Sequence, residues 1–514
     1  MRGSVSSKPP RNSDLAVALG LVALVSAAAV GWIYPQGYTL YYGDSEAHLN
    51  IARRVLDSRT PGPFQIGSVW LPLPHLLMLP FVWSDTLWRT GLAGALSSAI
   101  CFIAAGMFLF AAAGRVYGDR AAAAATLSVF ALNSNLLYLQ ATPMTEPVLF
   151  GTLAALVYCA VRFRESQSLV WVALAGVAGI ATSLARYEGW ALIPVVSLFF
   201  LFAARRRRLF TALLFAAVAS LGPLAWLAHN WWCWGDFLEF YRGPHSAHAI
   251  WARTLATTTM GRYRGDHNWQ EAWLYYRHAV WIAVGGPVVW MGLLGFLVGM
   301  FKRALWPVLL LAAPAALIVA SMHSGGTPIF LPHMWPFSYY NTRFGVTALP
   351  ALAFAAGALV AAAPARLRAP AWLAVVVLAI VPWLRSPWPQ SSICWKESQV
   401  NSDARRNWTS QAGRFLSEHY RRGTGIVMTF GDLPGVLREA GIPLRESLYD
   451  DNVPAWPGAM ARPSLYLFEQ WALAIKGDAV DEAIARASRE GLRYQRVKTI
   501  RVKGASDVHI YRRN

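Results

Sequence analysis

Charge is scarce in this chain: of 514 residues only 14% are Asp, Glu, Lys or Arg, against 55% hydrophobic. Soluble proteins carry roughly a quarter of their residues charged, so a freely soluble enzyme is excluded. Cysteine is nearly absent, with 4 in all, and no C-x-x-C or H-E-x-x-H spacing offers a ready metal site. Cys101 and Cys159 fall inside apolar runs and read as packing, while Cys233 and Cys394 are the two that a disulfide could join. No Walker A loop occurs, nor a G-x-G-x-x-G turn after a strand, so a soluble nucleotide has no recognisable cradle. Internal repeats and low-complexity tracts are also lacking, apart from Ala-rich helices.

What is present is hydrophobic length. Apolar runs occur near residues 14–34, 91–113, 121–139, 144–161, 169–184, 189–204, 209–232, 279–300, 304–322, 345–363 and 370–384. The first follows Arg2, Lys8 and Arg11 like a signal peptide, but its length and the later spans favour a retained anchor. A further stretch, "WLPLPHLLMLPFVW" over 70–83, has three internal prolines and is too short, since a span needs about 20 residues. If 70–83 does not cross, the clusters Arg115/Arg120, Arg162/Arg164, Arg205–Arg208, Lys302/Arg303 and Arg366/Arg368 all share the side of the basic N-terminus. That is the positive-inside pattern. It predicts eleven spans, with 70–83 as a half-inserted or surface helix and residues 385–514 outside. It also accounts for much of the formal charge of +19, which therefore argues against nucleic acid as a partner.

With that threading, the outward connections collect Asp44, Glu46, His75, Glu146, Arg186, Glu188, His333 and Arg343. Polar groups near membrane depth are costly, so several converging on one face imply a functional cavity. Each also has a plain structural reading. Asp44 in "YYGDSEAHLNIARRV" could cap the following helix, whose 45–57 spacing is that of an amphipathic helix lying along the interface. His75 could be an interfacial histidine, and Glu146 between Pro143 and Pro147 suits a helix N-terminus. Arg186 could pair with Glu188, and Arg343 could snorkel. Against these stands the chemistry of the set. Paired acids can deprotonate a hydroxyl or hold a metal, and guanidinium groups bind phosphate bidentately. His333, Tyr339 and Tyr340 are candidates for sugar or lipid contacts.

The order "GDSEAHLNIARRV", "WLPLPHLL", "GRVYGDRAAAAATLSVF", "MTEP", "ARYEGW" and "NTRFGVTALPALA" resembles the GT-C superfamily of integral-membrane glycosyltransferases. It is most similar to the branch of protein O-mannosyltransferases and lipid A aminoarabinose transferases, over about residues 14–365. The resemblance implies a polytopic α-helical membrane protein with a GT-C fold in the plasma (inner) membrane. It implies Asp44 as catalytic base with Glu46 beside it, and Arg186 and Arg343 holding the phosphate of a polyprenyl-phosphate sugar donor. The implied reaction transfers a sugar, with inversion, to an acceptor hydroxyl outside the cytoplasm; the acceptor is a protein, lipid or polysaccharide. His75, Glu146, Glu188, His333 and Tyr340 complete the expected substrate-binding set. Mg²⁺ or Mn²⁺ on Asp44 and Glu46 stays open, although the similar enzymes work without one. A transporter or flippase is the rival reading.

The expected organisation is a cytoplasmic N-terminus over 1–13, a transferase domain over 14–384 with interfacial helices in the loop 35–90, and an extracytoplasmic α/β domain over 385–514. In the last part, "RNWTSQAGRFLSEHY" and "DAVDEAIARASREG" read as helices. "GIVMTF" and part of "SLYLFEQWAL" read as strands, and "YQRVKTIRVKG" with "DVHIYRR" as a closing hairpin.

Overall fold

The structure, a computed structural model, describes residues 11–257, 261–301 and 305–514. Most of the expected cytoplasmic N-terminus, and the Lys302/Arg303 cluster, lie outside the described residues. The chain divides into two compact units.

The first unit comprises Met1–Gln36, Leu71–Pro74 and Ala95–Glu397. It is helical, and the chain is a multi-pass membrane protein. Among the described residues, seven helices are long and apolar enough to cross a bilayer, or nine if each of two bent pairs is one span. The expected eleven is reached only by adding Leu169–Ala185 and Glu188–Ala203, of 17 and 16 residues. At 1.5 Å per residue these reach about 25 Å, short of the roughly 30 Å hydrocarbon core. Both bends have local causes. Between Arg120–Ala131 and Ser134–Gln140, Asn133 caps the second helix by accepting from Leu136 N and gives its amide to the Ala283 carbonyl. Between Trp269–Val284 and Gly286–Phe301 stands Gly285 with φ +94°, a conformation that glycine adopts without a steric penalty.

Small residues let these helices approach closely. Gly292 and Gly295 of Gly286–Phe301 face Leu352 and Ala355 of helix Leu349–Ala362, and a Cβ at Gly295 would overlap the Ala355 backbone oxygen. Membrane helices associate through such packing, because burying apolar surface against apolar lipid gains little. All four cysteines are free, so Cys233 and Cys394 are not joined.

The second unit comprises Gly37–Trp70, His75–Gly94 and Ser398–Asn514. Its five strands are β1 (Ile426–Met428), β2 (Ser447–Leu448), β3 (Trp471–Ile475), β4 (Tyr494–Ile500) and β5 (Val508–Arg513). They form one sheet in the order β2-β1-β3-β5-β4. Strand β1 runs parallel to β2 and β3, and β3, β5 and β4 are antiparallel neighbours. The expected hairpin is β4–β5. The helix expected over "DAVDEAIARASREG" spans Ala479–Arg489, capped by Asp478 accepting from Val480 N and Asp481 N. Strand β2 had no sequence signal, being only two residues long.

The loop segments belong to the same hydrophobic core as the sheet. Leu49, Ala52, Met78, Val82 and Trp88 cluster with Trp408, Leu416, Met428, Leu433 and Leu437. Helix Gly43–Leu56 therefore departs from the amphipathic interfacial helix expected: its polar face is buried as well. Asn50 accepts from the Trp88 indole at 3.0 Å. Arg53 pairs with Asp57 at 2.9 Å, donates to the Val82 carbonyl and also pairs with Asp85. Arg54 pairs with Asp451 at 2.5 Å and lies 4.3 Å from the Phe430 ring centre. Stretch 70–83 contains the ten-residue helix Leu73–Val82, which runs on through Pro80.

The close approach at Gly295 generates one prediction. Gly295→Leu must push two helices apart at a cost of about 1–3 kcal/mol, the usual range for overpacking. The expected outcome is a lower melting temperature of the detergent-solubilised protein; an unchanged melting curve contradicts the contact.

Candidate active site

Within the first unit, four of the predicted residues come together. Arg186 follows helix Leu169–Ala185 in an extended conformation (φ −152°, ψ 150°), so the helix stops and the next begins two residues later at Glu188. That turn is tight because Gly189 lies against the Thr182 carbonyl, where a Cβ would not fit. Arg186 pairs with Glu188 at 2.8 Å and with Glu146 at 3.3 Å, and donates to the Thr145 hydroxyl at 3.1 Å. Arg343, in the 3₁₀ segment Thr342–Ala348, reaches the same Glu146 oxygen at 3.1 Å. Both guanidinium groups lie beside one ring, 5.2 and 5.4 Å from the centre of Phe344.

Glu146 is fully buried, and its second oxygen, Oε2, has no hydrogen-bond partner among the described residues. An uncompensated buried carboxylate oxygen costs several kcal/mol unless something satisfies it. The expected structural role of Glu146 at a helix start is realised, since it opens helix Glu146–Ser166 ahead of Pro147. It bridges two arginines as well.

One member of this cluster was not legible in the sequence. Glu397, 1% exposed, meets Arg343 at 3.5 Å and accepts from Asn341 N at 3.0 Å, Thr342 N at 2.7 Å and the Thr342 hydroxyl at 2.5 Å. Burial pushes its carboxyl above the usual range, against the opposing pull of Arg343 and of the Thr342 and Asn341 donors. It lies in "CWKESQV", an ordinary polar helical stretch, 54 residues after Arg343. Nothing local distinguishes it from a solvated glutamate.

His333 and Tyr340 sit apart from these ion pairs. His333 contacts His278 at 3.1 Å and lines a cavity of about 260 Å³ with Arg264, Glu271, Tyr275 and Trp335. Tyr340 forms an isolated bridge with Phe330.

The second unit holds the paired acids. Asp44 does not occupy the N-cap position, which falls to Tyr42; it stands in the first turn of Gly43–Leu56, with part of its surface accessible. An acid in a first turn is favoured by the helix dipole. Glu46 is buried between Arg405 at 3.6 Å and Arg438 at 3.3 Å, and presses on Gly435, where a Cβ would overlap its Oε1. Crowding by surrounding protein raises the Asp432 carboxyl; Arg405 opposes this, and the negative charges of Glu46 and Asp44 add to it. The residue itself keeps an exposed surface. Asp432, Arg405 and Arg438 are thus further members of this acidic site, invisible to spacing arguments because they lie more than 350 residues from the motif. As a metal site the pair divides, Glu46 being turned to arginines. Among the described residues, no three His, Cys, Asp or Glu are grouped to hold a metal ion.

His75 is fully buried and bonded to His48 at 2.9 Å, and its Nδ1 lacks a partner among the described residues. Burial, then the neighbouring His48 and Arg54, holds its pKa well below the ordinary histidine value, so it is neutral near pH 7. The His48 ring packs 4.3 Å from Trp70.

No protein-family profile matches the chain, and no curated protein matches it in sequence. Solved structures do. The crystal structure of ArnT from Cupriavidus metallidurans bound to undecaprenyl phosphate is similar with a TM-score of 0.58 and 13% identity, over 98% of both chains. The apo form of that protein gives 0.56 and 15% identity, over 96% of this chain and 98% of that one. The archaeal oligosaccharyltransferase AglB from Archaeoglobus fulgidus gives 0.46 and 12%, over 96% of this chain and 74% of that one. The likeness to ArnT is one of fold: this chain has the GT-C fold, with a small C-terminal sheet domain. The resemblance read in the motif order is matched by this resemblance of architecture.

The role of Glu397 is directly measurable. Glu397→Ala leaves Arg343 without one counter-ion and two backbone donors unsatisfied, a loss of about 3 kcal/mol or more for one partner of a buried pair. Denaturation of the variant should show that loss, with Glu397→Gln falling between it and the native protein.

Proposed function

We propose that this protein is a membrane glycosyltransferase that takes a sugar from a polyprenyl-phosphate donor and places it on an acceptor hydroxyl, outside the cytoplasm. The observation that carries the reading is the likeness to ArnT over nearly the whole of both chains. The ArnT crystal structure holds undecaprenyl phosphate, and the membrane unit here sets a buried arginine, Arg343, and a half-buried one, Arg186, on one glutamate. A lipid-linked donor also suits a chain with no nucleotide-binding loop.

In this reading Asp44 takes the proton of the acceptor hydroxyl. The alkoxide attacks the anomeric carbon, the bond from that carbon to the phosphate oxygen breaks, and configuration inverts. The electron pair leaves with the polyprenyl phosphate, whose growing negative charge Arg186 and Arg343 stabilise. Glu146, Glu188 and Glu397 hold those guanidinium groups in place before the donor arrives, which lowers the reorganisation needed on binding. Glu46 has the same positioning role toward Arg405 and Arg438, and His75, through His48, orders the helix that carries Asp44. His333 and Tyr340 belong to the side that meets sugar or lipid. The transporter reading is less well supported: in the membrane unit, ion pairs tie Glu146, Arg186, Glu188, Arg343 and Glu397 into one cluster instead of leaving them spread along a path.

Asp44→Asn is expected to retain its fold and undecaprenyl-phosphate binding while transfer falls by roughly 10²–10⁴-fold, the usual contribution of a general base. The measurement is mass-spectrometric consumption of a panel of undecaprenyl-phosphate sugars by the purified protein. Unchanged turnover in the variant removes Asp44 as the base.

A further inference from the structure

The cavity that His333 lines takes no part in the proton transfer or in phosphate binding, and its lining combines aromatic and polar groups. Trp335, Phe337 and Tyr275 supply aromatic walls, and Arg264, Glu271 and His333 supply polar groups. The aromatic wall is fixed: the Tyr275 hydroxyl donates to the Trp335 carbonyl at 2.6 Å, and the Arg264 guanidinium stacks 5.4 Å from the Trp335 ring centre. Glu271 is fixed at its backbone by the Asn268 cap, at 3.1 Å. One of its carboxylate oxygens, Oε2, is buried and has no hydrogen-bond partner among the described residues.

These features select a ligand class. Sites for drug-sized ligands occupy roughly 300–1,000 Å³, so about 260 Å³ admits a single six-membered ring and not a nucleotide. A lipid tail would strip water from the Arg264 guanidinium and the Glu271 carboxylate without replacing its hydrogen bonds, the cost that attends any desolvated unpaired polar group. A phosphate or other full anion would meet Arg264 but be repelled by Glu271. A vicinal diol both donates and accepts: one hydroxyl can donate a hydrogen bond to the Glu271 carboxylate while its neighbour accepts from Arg264. The apolar face of the same ring then lies on an aromatic side chain.

We propose that this cavity is a monosaccharide subsite that receives one sugar unit of the acceptor. The assignment to the acceptor rests on the glycosyl-transfer reading, because the donor's phosphate is given to Arg186 and Arg343, which do not line the cavity. The acceptor would then be a glycan-bearing molecule, not an unmodified peptide.

The test uses the purified full-length protein in nanodiscs. Saturation-transfer NMR is recorded with methyl β-D-glucopyranoside, methyl β-D-galactopyranoside, methyl α-D-mannopyranoside and methyl N-acetyl-β-D-glucosaminide. Undecaprenyl-phosphate retention is measured on the same samples by native mass spectrometry. At least one glycoside should bind. Glu271→Gln should weaken it about tenfold, as expected for losing a charge-assisted hydrogen bond, and Trp335→Ala should abolish it. Both variants should retain undecaprenyl phosphate like the native protein, which also shows that they are folded. Binding of no glycoside, or binding that survives both substitutions, overturns the proposal. If the native protein binds a glycoside in this way but retains no undecaprenyl phosphate, the acceptor role is overturned through failure of the transfer reading, while the cavity's sugar chemistry stands.

Discussion

A single buried carboxylate organises the membrane unit. Glu146 has no exposed surface and sits on two guanidinium groups, Arg186 from a helix end and Arg343 from a 3₁₀ turn. Such a group is tolerable only while it is paired, since removing one partner of a buried ion pair commonly costs 3–5 kcal/mol. The surrounding structure follows from keeping those partners in reach. The helix before Arg186 stops early, Gly189 permits the tight turn, and Glu397 fixes the start of the 3₁₀ segment through two backbone amides and the Thr342 hydroxyl. Three carboxyl groups, of Glu188, Glu146 and Glu397, thus surround the two arginines. Guanidinium groups held this way are oriented but not neutral bystanders: their planar forks keep a fixed direction, which recognition of a phosphoryl group requires.

The second unit applies the same economy of buried charge to a different end. Helix Gly43–Leu56 reads as half polar, yet Arg53, Arg54, Asn50 and Asp57 all lie inside. Each has a specific partner, so the helix is locked in rotation and Asp44 is presented in one direction at its first turn. Glu46, two residues beyond the partly accessible Asp44, lies between Arg405 and Arg438. Two carboxylates two residues apart thus have separate duties, set by burial and by partners. Asp432 adds a third acid nearby, its carboxyl raised first by burial and further by the charges of Glu46 and Asp44, against the pull of Arg405.

The membrane architecture was legible because hydrocarbon leaves so few choices. Long apolar runs must become helices, and a polar residue stranded among them must find company, which is why Arg186, Glu146, Glu188 and Arg343 could be singled out and were found joined. The strands β1, β3, β4 and β5 also followed from apolar or alternating patterns. What stayed hidden were partners chosen by tertiary packing. Glu397, Arg405, Arg438 and Asp432 sit in stretches that look like any solvated helix or turn, and no local spacing ties them to motifs hundreds of residues away. The burial of the polar face of Gly43–Leu56 was missed for the same reason: an amphipathic pattern shows that one face needs cover, not what the other will meet. His333 lies in a sugar-sized cavity and not among the ion pairs, a distinction that its aromatic, histidine-rich sequence context does not make.

The account stands on Arg343 as a direct holder of lipid phosphate. The most direct measurement is the affinity of purified protein for undecaprenyl phosphate, compared with Arg343→Lys, which keeps the charge next to Glu146 and Glu397 but loses the bidentate fork. The account predicts a folded variant with at least about tenfold weaker binding, since a charge-assisted hydrogen bond is worth roughly 1.5–3 kcal/mol. Equal affinity in a variant with a native melting temperature would contradict it.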